Sequence, residues 1–99
     1  MNRLIFVLML AFSPVLQATS KAPAKSGQCV ACHGVDGQSK QASNPILRCQ
    51  HEAYLISALN SYRSGKRTQS VMNSIANSLQ PKDIKALAAW YANQPGCKK

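Results

Sequence analysis

The sequence predicts an all-α domain of three or four short helices, joined by long loops and wrapped around a large apolar group that the chain itself does not supply. Three observations carry this. Apolar residues recur at helical spacing in three separate stretches, and no stretch alternates as a strand would. The loops between them are long for a domain with so few core residues, which is uncommon unless something else fills the middle.

The first eighteen residues read as an export signal. Arg3 gives a short positive start, and an unbroken apolar run follows from Leu4 to Leu10. "LQA", ending at Ala18, offers a cleavage site, with cuts after Ala22 or Ala24 as alternatives. Ser13 and Pro14 break the apolar run before it reaches membrane-spanning length, although an uncleaved anchor is the competing reading. The expected mature domain is therefore residues 19–99, opening with a polar lead-in, "TSKAPAKSG", read as frayed.

Residues 34–44, "GVDGQSKQASN", have turn composition and no period, and Pro45 closes that loop. In "HEAYLISALNSYRSG" Leu55, Ala58, Leu59 and Tyr62 share one helical face, and Gly65 stands where a glycine ends a helix. "GKRTQS" then reads as a basic, flexible loop, and Val71, Ile75, Ala76 and Leu79 suggest a short helix. The last helix has the clearest signals. Pro81 fits its first turn, Asp83 places negative charge at the positive end of its dipole, and Pro95-Gly96 ends it. Its apolar stripe is Ile84, Leu87, Ala88 and Tyr91. There is no internal repeat.

Charge narrows the partners. The chain carries 12 Lys and Arg against 3 Asp and Glu, a formal charge of +9 that becomes +8 once Arg3 leaves with the signal. Such an excess suits nucleic acid, but an exported protein rarely meets it. An acidic patch on a protein partner, or an anionic membrane surface, fits better, with simple solubility as the plain alternative.

The chemistry centres on Cys29-Val30-Ala31-Cys32-His33. A structural zinc site needs four ligands, and Cys49 with His51 is the one crude second pair on offer. A thioredoxin-like dithiol needs a preceding strand and a parallel sheet, which the pattern lacks. Covalent haem attachment explains more. Two cysteines spaced by two residues in a helical turn present both sulfurs to one edge of a porphyrin, and the next residue turns its imidazole toward the iron. Haem would also be the missing apolar mass. For the sixth iron position the mature chain offers Met72, its single methionine. A thioether there raises the reduction potential relative to a second imidazole. His51 and an open site are the rivals, and core packing beside Val71 and Ile75 is the role Met72 would have without haem.

These segments resemble the small monohaem class I cytochromes c of the bacterial periplasm. "CVACHGVDGQS" is similar to their attachment helix and glycine-rich loop. "NPILRCQHEAYLISALNSYRSGKR" resembles their Pro-Leu-Gly-Gln stretch and the "YL" helix that ends in Gly-x-Arg. "VMNSIANSLQPKDIKALAAWYANQ" resembles their methionine segment and C-terminal helix. The resemblance implies a class I cytochrome c fold around one haem c held through Cys29 and Cys32, with His33 and Met72 as iron ligands. It implies that the Pro45 carbonyl accepts the other ring N–H of His33, and that Tyr54 and Leu55 line the haem pocket, with plain core packing as their alternative. Arg67 is implied as a neighbour of a haem propionate, unless it is a solvated loop charge. Cys49 departs from the family, which has glycine there, and Cys97 stands near the end of the chain. Bonded together they would contribute roughly 3–4 kcal/mol, with free thiols or an intermolecular bridge as the other outcomes.

The function expected is a periplasmic electron carrier that moves one electron between redox proteins and transforms no substrate. A haem-based gas binder or sensor is the alternative, as is a fixed electron-entry subunit of a larger oxidoreductase.

Overall fold

In the computed structural model, which describes residues 3–9, 11 and 21–98, four α-helices form one packed unit, and no strand occurs among the described residues. The predicted cleavage point at Ala18 and the mature start at Thr19 lie outside the described residues. Leu4 to Met9 form no helix and stand 75–90% exposed, and no helix among the described residues is long and apolar enough to cross a membrane.

The lead-in is more ordered than its composition suggests. The Pro23 carbonyl accepts the Ser26 N–H at 2.9 Å, which winds Ala24–Ser26 into a 3-10 turn and buries Ser26. That turn runs directly into α1 (Gly27–His33), whose end is marked by Gly34 at φ +84°. α2 (Glu52–Ser64) stops at Gly65, which takes the left-handed conformation at φ +83° and returns its N–H to the Tyr62 carbonyl at 3.3 Å.

α3 (Ser70–Asn77) is capped by Gln69 and buries Ala76. Val71, placed on the buried stripe by its spacing, is instead 53% exposed. It lies five residues before Ala76, about 140° around the helix from the face that turns inward. Leu79 falls beyond the end of α3 and is still only 1% exposed.

α4 (Pro81–Ala92) begins with the Gln80 N–H donating to Asp83 Oδ2 at 2.8 Å, which supports the first turn. Its buried residues are the predicted stripe, Ile84, Leu87, Ala88 and Tyr91. This face meets Leu55 of α2 and the half-buried Ile56 and Leu59.

The loop between α1 and α2 is held down along its length. Gly37, at φ +85°, is a required glycine: a Cβ there would stand 2.8 Å from both the Arg48 amide nitrogen and the Tyr91 ring. Its carbonyl accepts the Leu47 and Arg48 N–H groups at 2.9 and 3.2 Å. Further on, Cys49 and Cys97 form a disulfide, and the Cys49 N–H donates to the Tyr91 carbonyl at 2.9 Å. Arg48 reaches the Pro95 carbonyl with one guanidinium nitrogen and Asp36 with another, the latter at 3.4 Å.

Candidate functional site

The seven-residue α1 presents Cys29 and Cys32 one turn apart and ends on His33. Cys29 is partly buried and Cys32 exposed, and neither is in a disulfide. Cys49 is bonded to Cys97, which removes the thiolate that a zinc site with His51 would need. His51 itself is the exposed residue preceding α2.

His33 is only 8% exposed, and its Nδ1 lies 2.8 Å from the Pro45 carbonyl. A carbonyl oxygen can only accept, so Nδ1 carries a proton, and in the neutral ring Nε2 is the nitrogen left to bind a metal. The ring is thereby fixed in the tautomer that a metal ligand requires, with its orientation set by a loop twelve residues downstream.

Met72 lies in the first turn of α3, half-buried, with its N–H bonded to the Gln69 side-chain oxygen at 2.7 Å. Tyr54 is in the first turn of α2 and 50% exposed. Leu55, next to it, is 6% exposed and belongs to the core against α4. The Arg67 guanidinium stacks over the Tyr62 ring at 4.5 Å from its centroid, a cation–π contact that fixes the side chain along α2.

Do these residues suit a haem? Seven apolar residues are fully buried among those described, a thin core for the domain. The segments bearing His33, Pro45, Tyr54 and Met72 also carry Val35, Ile46 and Val71, which are 74%, 52% and 53% exposed. A planar apolar group would cover such surface. Two buried polar atoms, Trp90 Nε1 and the Tyr91 hydroxyl, have no well-aligned partner. The Tyr91 hydroxyl lies beside Cys29, whose thiol burial pushes up; burial and that neighbour also raise the tyrosine well above the ordinary phenol range. Tyr91 was legible only as core, because nothing in its spacing reports where its hydroxyl points. By contrast, an open polar depression between α2 and α3, lined by Ser57, Asn60, Arg63, Lys66 and Asn77, includes none of the predicted site residues.

Comparison with known proteins agrees with this geometry. The cytochrome c family model matches residues 21–94. Cytochrome c4 of Pseudomonas aeruginosa is 34% identical over 99 residues, covering 95% of this chain and 49% of that protein. Cytochrome c-553 of Helicobacter pylori is 39% identical over 93 residues, covering 91% of this chain and 95% of that protein. Among solved structures, Acidithiobacillus ferrooxidans cytochrome c4 superposes with a TM-score of 0.63 at 29% identity, over 81% of this chain and 55% of that one. The chain thus spans about half the length of the cytochrome c4 relatives and nearly all of the c-553. Motif, helix order and matched span coincide: the chain belongs to the cytochrome c family, all-α electron-transfer proteins, and carries haem c through Cys29 and Cys32.

Proposed function

We propose that this protein is an exported, periplasmic carrier of single electrons whose haem iron is bound by His33 on one face and Met72 on the other. The observation that carries the reading is the His33–Pro45 hydrogen bond, which engages Nδ1 of a nearly buried imidazole and leaves Nε2 as the nitrogen for the iron. When bound, the haem supplies a one-electron couple. The chain's own residues hold the imidazole and the thioether in place, so both oxidation states keep the same ligands and little reorganisation accompanies transfer.

The domain proposed for the mature protein is residues 19–99, with residues 1–18 removed on export. It transforms no substrate and passes its electron to other redox proteins. Electrostatics supports brief docking against acidic surfaces. Of the three acids, Asp36 is paired with Arg48 and Asp83 is committed to the start of α4. The lysines therefore dominate the surface, and contacts of this kind are weak and sensitive to salt. An anionic membrane surface is a second, weaker partner of the same kind.

The test is the absorption spectrum of the oxidised protein. A sulfur-to-iron charge-transfer band is expected, and Met72→Ala should abolish it. Its absence from the unmodified protein would overturn the ligand assignment. A redox titration followed optically then reports the working potential.

A further inference from the structure

Met72 sits in the first turn of an eight-residue helix, following the loop Gly65-Lys66-Arg67-Thr68-Gln69. What restrains that turn is the next residue. Asn73 uses every hydrogen-bonding group of its side chain. Nδ2 donates to the Tyr62 carbonyl and to the Arg67 carbonyl, both at 2.8 Å, and Oδ1 accepts the Gln69 N–H at 2.8 Å. The Asn73 N–H returns to the Gln69 carbonyl at 2.8 Å, and the Gln69 side chain caps the Met72 N–H at 2.7 Å. One amide thus ties the last turn of α2, the 65–69 loop and the first turn of α3 together. The Tyr62 carbonyl also receives the Gly65 N–H, at the longer distance of 3.3 Å, so Asn73 is the closer of its two donors.

We propose that Asn73 is the positioning residue for Met72, and sets how often the thioether leaves the iron. The inference rests on the reading of Met72 as the sixth ligand. An external ligand can reach the iron only in the fraction of molecules where Met72 is displaced, so its apparent affinity reports that fraction directly. Asn73→Asp keeps the shape and the acceptor but loses both donors, leaving two carbonyls facing a carboxylate. The loss of two hydrogen bonds raises the displaced fraction by about tenfold or more.

The experiment is a titration of the oxidised haem protein with imidazole, followed in the absorption spectrum. Asn73→Asp should bind imidazole about tenfold or more tightly than the unmodified protein. Ser78→Ala, which removes contacts to Gln28 and Ile75 at the opposite end of α3, should stay within about threefold. In a Met72→Ala background, Asn73→Asp should change imidazole affinity by less than about threefold, because no thioether remains to be positioned. A purely structural role would shift affinity in both backgrounds. If the unmodified protein shows the sulfur band and Asn73→Asp leaves imidazole affinity unchanged, the positioning role is refuted. If the unmodified protein lacks the band and binds imidazole as Met72→Ala does, the ligand reading itself has failed. Should Asn73→Asp not accumulate, hydrogen exchange on the unmodified haem protein decides. The Gln69 amide should exchange as slowly as the amides within α3, and exchange at free-loop rates overturns the proposal.

Discussion

Removing the Cys49–Cys97 disulfide should separate two effects that oppose one another at Cys49. The bridge spans 48 residues of sequence. Restricting an unfolded loop of that length by a cross-link is worth about 4 kcal/mol at 25 °C on the chain-entropy model. Cys49 also takes φ +63°, the only positive φ of a non-glycine residue among those described. An L-residue there costs roughly 1–2 kcal/mol that glycine does not. Cys49→Ala/Cys97→Ser keeps the strain and loses the cross-link, so it should be less stable by about 4 kcal/mol. Cys49→Gly/Cys97→Ser relieves the strain as well and should lose only about 2–3 kcal/mol. The assay is guanidinium unfolding of the haem protein, followed by far-UV circular dichroism and analysed by linear extrapolation. A larger m-value is expected for both variants, because the unfolded chain is no longer looped. If both lose less than about 1 kcal/mol, the cross-link is not the restraint described. If the glycine variant is no more stable than the alanine variant, the strain at Cys49 is absent.

Other expectations follow from single contacts. Gly37→Ala forces a methyl to within 2.8 Å of the Arg48 amide nitrogen and the Tyr91 ring, at φ +85°; stability should fall by at least about 2 kcal/mol in the same unfolding assay. Tyr91 is 2% exposed and its hydroxyl stays protonated past the ordinary phenol value of 10.0, chiefly through burial. The unfolded tyrosine ionises first, so this contribution is intact below pH 10 and lost as pH rises above it. At about pH 11 the unmodified protein should have lost about 1.4 kcal/mol that Tyr91→Phe does not lose, as unfolding at pH 9 and 11 would show. Reduction by an acidic protein partner should slow about tenfold between about 0.01 and 0.2 M salt, whereas reduction by a neutral small molecule should not. Equal salt dependence for both reductants would remove the case for charge-guided docking.

Much of this architecture is legible in the residues. The stripe of α4 and its start at Pro81 and Asp83 come directly from a 3.6-residue period and from end effects that act over one turn. Gly65 ends α2 for an equally local reason. Val71 escaped because α3 is short, and four apolar residues over nine positions do not define a face until a partner surface selects one. The turn at Ala24–Ser26 escaped because composition alone does not reveal the hydrogen bond that the Pro23 carbonyl receives. The Cys29, Cys32 and His33 spacing is local chemistry and could be read as such. The pairing of Cys49 with Cys97 depends on α4 returning beside the loop, and no local rule reports that. Asn73 was invisible for the same reason: its three partners lie on the last turn of α2 and in the loop that follows it.

The left-handed backbone at Cys49 also constrains the path by which such a sequence is reached. A glycine at position 49 would adopt that conformation freely. Exchanging a glycine for cysteine at 49 alone would impose the strain at once, with no cross-link to offset it. A cysteine arriving first at position 97, in the tail beyond α4, disturbs little. The second exchange, at position 49, then brings strain and staple in one step, with a net gain of about 2–3 kcal/mol. On these terms a lone Cys97 costs the fold less stability than a lone Cys49, and the two exchanges are not interchangeable in order.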